Sequence, residues 1–110
     1  MVEIRRTHEF AEWLKGLRDR QGRARILTRI DRLADGNAGK YRAPGSVLFE
    51  LKIDFGPGYR VYYMKLEEVL IVLLCGGDKS TQSKDIKRAK ELAQRIEEEG
   101  WRDESADEDL

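Results

Sequence analysis

The chain is expected to fold as an α+β domain: a small antiparallel β-sheet with two N-terminal helices packed on it and one C-terminal helix, in the order β-α-α-β-β-β-α. Three observations predict it. Apolar residues recur at helical spacing twice before residue 35 and once after residue 82. Between them, residues 47–75 hold apolar runs broken by glycine-rich and acidic turns, the mark of consecutive strands. Finally, 110 residues with 40% hydrophobic and 38% charged side chains supply one thin core and leave no room for a second domain.

Val2 to Arg5 form the first strand. Thr7 then offers a side-chain oxygen as helix cap, and Glu9 sits in the first turn, at the positive end of the dipole. Phe10, Trp13, Leu14 and Leu17 follow at i, i+3, i+4 and i+7 as one stripe. Trp13 belongs to the core on this spacing, and with Trp101 it is also an aromatic suited to anchoring a partner. After a break around Asp19 to Gly22, Ile26, Leu27, Ile30, Leu33 and Ala34 repeat the pattern, and Gly36 supplies a left-handed stop. The polar face of this second helix carries Arg23, Arg25, Arg29 and Arg32, a set that suits phosphates and equally suits a solvated surface.

Residues 35–46 read as loop, in which Lys40 and Arg42 flank Tyr41, a combination suited to an unstacked base and its backbone. Val47, Phe49, Leu51 and Ile53 then alternate with Leu48, Glu50, Lys52 and Asp54, which predicts a half-buried strand. Gly56-Pro57-Gly58 breaks it, and Tyr59 to Met64 resume it as the second arm of an antiparallel hairpin. Glu67-Glu68 reverses the chain again. Val69 to Cys75 lacks alternation and is rich in β-branched residues, as in a strand covered on both sides, and Gly76-Gly77 ends it. Ser80 to Ser83 lead into a last helix with Ile86, Ala89, Ala93 and Ile96 inward.

The formal net charge is zero, but residues 97–110 hold eight acids and one base, so residues 1–96 carry +7. Such asymmetry points to a polyanion partner for the body of the chain. The acidic end, with only Trp101 and Leu110 as sizeable apolar groups, is expected to be a disordered tail. A folded domain over 1–97 and a tail over 98–110 follow. The longest apolar run is seven residues, far short of the roughly 20 that span a bilayer, and no secretory signal opens the chain. A cytoplasmic location without membrane contact is therefore expected.

One cysteine, Cys75, and one histidine, His8, leave no intrachain disulfide and no zinc site, and no metal or cofactor is expected. His8, in a first helical turn, reads as structural. Gly76 to Thr81 is not a nucleotide-binding P-loop, because Asp78 and Leu73 stand at glycine positions of that motif. It does combine glycines, Lys79, the hydroxyls of Ser80, Thr81 and Ser83, and a helix start, which makes a candidate anion-binding corner. Arg60 and Tyr62 share one face of their strand, and Lys52 on the neighbouring strand can join them.

These residues carry a resemblance. Phe49-Glu50-Leu51-Lys52-Ile53, then Gly56-Pro57-Gly58-Tyr59-Arg60-Val61-Tyr62-Tyr63, then Leu74 to Gln82 followed by Asp85-Ile86 and Ala89, resemble the RelE/ParE superfamily of bacterial toxins, above all its HigB-like, phage-Gp49-related killer-protein branch. With the element order, the resemblance covers about residues 1–97. It implies a RelE-like fold and the toxin of a type II toxin–antitoxin module, a metal-independent endoribonuclease that cuts messenger RNA on the ribosome. It also implies neutralisation by a cognate antitoxin, typically a helix-turn-helix protein through which alone the toxin would reach operator DNA.

Carried over by position, Arg60 matches the catalytic arginine, Lys52 a substrate-facing basic position, and Lys79 the basic position after the last strand. Lys40, Tyr41, Arg42, Tyr62, Ser80, Thr81, Gln82 and Lys84 are the candidate RNA contacts. Several relatives use a C-terminal tyrosine or histidine for acid–base work, and this chain has neither after Tyr63. The proton donor is thus open among Asp85, Lys79, Lys84 and Tyr62. Two other readings stand beside the ribonuclease: a ParE-like toxin that inhibits DNA gyrase, and a non-catalytic nucleic-acid-binding module.

Overall fold

The computed structural model describes residues 2–38, 41–42 and 47–102. The elements are β1 (Glu3–Arg6), α1 (His8–Gly16), α2 (Arg20–Ala34), β2 (Tyr41–Arg42), β3 (Leu48–Ile53), β4 (Tyr59–Glu67), β5 (Leu70–Asp78), a 3-10 turn (Lys79–Thr81) and α3 (Gln82–Glu99). The α+β class and the expected order hold. Five strands make one sheet in the order β1-β5-β4-β3-β2. Neighbours from β2 to β5 are antiparallel, as expected, but β1 joins β5 in parallel, which makes the sheet mixed. The reason is the connection: β1 reaches β5 through two helices and three strands, a path long enough to allow parallel pairing, whereas hairpins force antiparallel pairing. The two-residue β2 lies within the stretch expected to be loop.

Helices cover both faces. Phe10, Leu14, Ile26 and Leu33 of α1 and α2 pack on Leu51, Ile53, Val61, Tyr63, Ile71 and Leu73. On the opposite face, Ala89, Leu92, Ala93 and Ile96 of α3 pack on Leu48, Tyr62, Met64, Val72 and Leu74, with Trp101 against the same cluster. This second layer corrects one expectation: Leu48 and Glu50, on the face of β3 expected toward water, are 1% and 0% exposed. Ile71 to Cys75, covered on both sides, are all buried. The helix reaches Glu99, two residues past the boundary expected at 97, and residues 103–110 of the acidic tail lie outside the described residues.

Local chemistry fixes the ends of the elements. Thr7 caps α1 as expected: its Oγ1 accepts from the Phe10 N–H at 3.0 Å and donates to the Leu74 carbonyl at 2.7 Å. Gly36 ends α2 at φ 89°. Trp13 lies so close to the Gly76 backbone that a Cβ there would stand 2.3 Å from the indole, and the ring also meets Phe10 and Tyr59. Tyr59 pairs in register with Asp78, and its hydroxyl reaches Asp19. The α1–α2 turn, the β3–β4 turn and the β5–α3 corner therefore gather at one end of the molecule. No helix among the described residues is long and apolar enough to cross a membrane.

Candidate functional site

The site is built where that end meets the α3 face of the sheet. Lys52 on β3 stands directly opposite Arg60 on β4, and Arg60 stands opposite Gly77 on β5, so the three form one row across the sheet. Between Tyr62 and Tyr63 the β4–β5 register shifts, which leaves Leu74 as an extra residue. The bulge turns Gly76 toward Trp13 and Gly77 toward Thr81 and Asp85 of the α3 corner.

Arg60 is 7% exposed. Its Nη1 donates to the carbonyls of Gly58 at 3.1 Å and Tyr59 at 3.2 Å, so the guanidinium is folded back onto the β3–β4 turn. Its Nε is buried without a hydrogen-bond partner among the described residues. Gly56 and Gly58, at φ 56° and 79°, form that turn, and the Gly58 N–H donates to Phe55 O at 3.0 Å. A Cβ on Gly58 would stand 3.4 Å from both Arg60 Nη1 and Lys79 Cβ, which places the arginine head and the lysine stem on either side of one glycine. Lys79 is exposed and Lys52 half-buried. Three basic side chains thus converge on one sheet end, with the guanidinium fork held in place.

The β5–α3 corner is less open than its sequence suggests. Asp78 Oδ1 accepts from the Ser80 N–H at 2.8 Å and from the Ser80 hydroxyl. Thr81 Oγ1 accepts from the Asp78 N–H at 3.3 Å and donates to Asp85 Oδ2. Gln82 Nε2 donates to Glu50 Oε1 at 2.8 Å. The side chains of Thr81 and Gln82, expected to meet RNA, are thus bonded inward as cap and tie, and that of Ser80 bonds Asp78 at the surface. Lys84 is exposed beside them.

Tyr62 departs from expectation more sharply, being 0% exposed and packed under α3. It has no surface to offer an RNA base and acts instead as the floor of the site. Burial, and then the neighbouring Glu50 charge, hold its hydroxyl far above the ordinary phenol range, so it stays protonated. It lies beside Glu50 without a well-formed hydrogen bond. Glu50 itself is the residue sequence reasoning missed as a component. A fully buried carboxylate two residues along β3 from the Lys52–Arg60 pair is costly, and alternation on β3 gave no sign of the covering helix. The Gln82 amide is what the covering helix brings to it.

The remaining candidates fall in different places. Tyr41 and Arg42 take positions opposite Leu51 and Glu50 on the sheet's edge, and Lys40 lies outside the described residues. His8 is exposed and pairs with Glu12 at 3.4 Å, in keeping with a structural role. Burial, helped by Glu9 and Asp85, pushes the Cys75 thiol up to about 12. Asp85, half-buried, receives the Thr81 hydroxyl. Arg29 Nη1 donates to the Lys52 carbonyl and Nη2 to Ala38 O at 2.8 Å, while Arg25 lies 4.3 Å over the Phe55 ring. Among the described residues no group of three or more His, Cys, Asp or Glu is placed to hold a metal ion.

Comparison with known proteins matches residues 12–98 to the family described as phage derived protein Gp49-like (DUF891). A Haemophilus influenzae protein described as uncharacterized is 50% identical over 95 residues, 86% of this chain and 96% of its own. The crystal structure of the isolated E. coli RelE toxin superposes with a TM-score of 0.61 at 15% identity, over 80% of this chain and 98% of that one, and so shares the fold. The solution structure of a conserved hypothetical protein from Helicobacter pylori matches at TM-score 0.45 and 17% identity, over 73% of this chain and 97% of its own. With most of its length covered by one family profile and a close relative matched nearly end to end, the chain belongs to the phage-derived Gp49-like family.

Proposed function

We propose that this protein is the toxin of a type II toxin–antitoxin module and acts as an mRNA interferase, an endoribonuclease that works on ribosome-bound messenger RNA in the cytoplasm. The observation that carries the reading is the row of Lys52 and Arg60 in register, with Lys79 beside Arg60 across Gly58. A row of cations on a sheet face, one of them buried and oriented, is expensive unless a polyanion meets it. The Gp49-like family and the RelE-like fold support the same reading. A cognate antitoxin, of helix-turn-helix type, is the partner that keeps such a protein in check.

In the cleavage step the 2′-oxygen of one nucleotide forms a bond to the adjacent phosphorus as the bond from phosphorus to the 5′-oxygen breaks. The 2′-hydroxyl gives up its proton, and the leaving 5′-oxygen gains one. DNA lacks that hydroxyl and is not a substrate. Arg60 holds the phosphate oxygens as negative charge builds, since a guanidinium stays protonated and offers a fixed fork of donors. Lys52 and Lys79 flank it: Lys52, once it has shed its own proton to solvent, takes the proton of the 2′-hydroxyl, and Lys79 as an ammonium gives one to the leaving oxygen. Tyr62, buried and held protonated, supports this row from beneath.

The test is induction of the wild type, Arg60→Ala and Arg60→Lys in a bacterial host, with the 5′ ends of cellular messenger RNA mapped in each. In-frame breaks with the wild type alone are expected, together with growth arrest that the antitoxin relieves. Arrest without breaks would overturn the ribonuclease in favour of a topoisomerase poison. Unchanged arrest in Arg60→Ala would remove Arg60 from the centre.

A further inference from the structure

The arginine face of α2 is not absorbed by that site, yet the fold brings it next to it. Arg25, Arg29 and Arg32 follow at i, i+4 and i+7, so they form one stripe about 10 Å long on a straight helix. With Thr28, Ile53, Asp54 and Phe55 they line a groove of about 220 Å³. Three cations face one carboxylate there, so the groove carries net positive charge. Arg25 and Arg32 are exposed, and the Arg25 guanidinium lies over the Phe55 ring at 4.3 Å. Two exposed guanidiniums, one of them laid flat on an aromatic ring, form an arrangement that accepts backbone phosphate together with a stacked base.

The groove is tied to the cation row by a direct bond. Arg29 donates to the carbonyl of Lys52, the residue whose side chain stands opposite Arg60 on the other face of the sheet. Asp54 and Phe55 of the groove continue β3 immediately after Lys52 and Ile53. The two basic surfaces therefore meet round the end of one strand. Burial lowers the pKa of Arg29, with repulsion from Arg32 adding to it, and attraction to Asp54 works against both. Arg29 is thus the structural member of the stripe, and Arg25 and Arg32 are the ones with ends to offer.

We infer that this groove is a flanking-nucleotide subsite: a single RNA strand engaged at Lys52, Arg60 and Lys79 continues round the end of β3, where Arg25 and Arg32 hold its phosphates and a base stacks on the outer face of the Arg25 guanidinium that Phe55 backs. The inference rests on the ribonuclease reading for the direction of the strand, and it assigns the α2 arginines to the same ligand. A single strand fits because it can turn sharply round the strand end, which a stiff duplex does not.

The test is fluorescence anisotropy with labelled, 2′-O-methylated single-stranded RNA, which binds without being cut, at two lengths, a trinucleotide and a dodecanucleotide, over a salt series. The double variant Arg25→Ala/Arg32→Ala should weaken dodecanucleotide binding about tenfold, with a loss that grows with length. Its log–log salt slope should be shallower by about 1.4, from two phosphate contacts at roughly 0.7 each. Arg32→Glu, at an exposed position, gives a check that avoids Phe55, and equal melting temperatures confirm folding. Double-variant affinity and slope equal to wild type, with Arg60→Ala weakened, would overturn the subsite and leave the main site standing. No binding of single-stranded RNA by the wild type would overturn the subsite while leaving the ribonuclease reading to the mapping of cellular 5′ ends, and preference for duplex RNA would overturn the single-strand path.

Discussion

The Tyr59 hydroxyl donates to Asp19 Oδ2 at 2.8 Å, while the other oxygen of the same carboxylate, Oδ1, accepts from the Gly22 N–H at 2.9 Å. One carboxylate thereby caps α2 and clamps the α1–α2 turn to the strand that carries Arg60. Gly22 is required at this crossing, since a Cβ there would stand 2.5 Å from the Tyr59 ring. Tyr59→Phe should cost about 1 kcal/mol and Asp19→Ala more than that, because only the second loses the cap as well. Urea denaturation of both variants measures the difference.

The same carboxylate sets an acid limb. Its bond from the Gly22 N–H, and then the one from Tyr59, hold Asp19 below the usual carboxylate range. A group whose pKa is depressed on folding stabilises the protein above its unfolded value and loses that contribution as pH falls through the folded value. Stability should therefore drop below about pH 4, and the drop should be shallower in Asp19→Asn. Denaturation midpoints from pH 6 down to pH 2 check it, and identical slopes in the two proteins would contradict it.

Gly77 and Asp85 allow no substituent between them. A Cβ on Gly77 would stand 1.8 Å from Asp85 Oδ2 and 2.8 Å from Thr81 Oγ1. Gly77→Ala must push the start of α3 off the sheet, at a cost of about 1–3 kcal/mol. Because Gly77 lies in the row with Arg60 and Lys52, RNA binding should weaken along with stability. Gly77→Ala/Asp85→Ala should regain part of the stability, as thermal melts of single and double variants would show.

Gln82 and Glu50 tie α3 to β3 across the floor of the site. Gln82→Leu leaves the fully buried Glu50 without that donor and should cost about 1.5–3 kcal/mol, the range for a hydrogen bond to a charged group. Hydrogen exchange should report the loss first in the opening turn of α3. Protection unchanged there would show that the tie is not what holds the helix start.

Cys75 is buried, and its Sγ donates to the Asp85 carbonyl at 3.6 Å. A thiol raised on folding to about 12 adds stability that is full below its unfolded value and is lost as pH rises toward 12. Alkylation by iodoacetamide at pH 8 should be slow in the native protein and fast after unfolding. Cys75→Ala should flatten the alkaline fall in stability, read as the denaturation midpoint from pH 8 to pH 11.

The sequence was most informative where a periodic signal met a local terminator. The stripe from Ile26 to Leu33 with Gly36 behind it, and the β3–β4 alternation around Gly56-Pro57-Gly58, each name an element and its end. The Lys52–Arg60 row was legible too, because antiparallel pairing across a short turn leaves little choice of register. Other features depend on contacts between remote segments. Whether β1 lies parallel or antiparallel is decided at its partner β5, and nothing in Val2 to Arg6 records it. The burial of Glu50 and Tyr62 is decided by α3, which passes over them thirty residues later and carries Gln82 to the carboxylate. Ser80 and Thr81 advertise hydroxyls that the corner itself consumes.

The parallel pairing of Glu3–Arg6 with Leu70–Leu73 has a further consequence for how the molecule is made. Thr7 Oγ1 and the Leu74 carbonyl that receives it are 67 residues apart. During synthesis the first strand therefore waits, unpaired, until the fifth has been made, while β3 and β4 can already close as a local hairpin. Closing so large a loop is slow compared with forming hairpins and helices, so docking of β1 is placed late in folding. A strand made long before its partner is among the last to find its place.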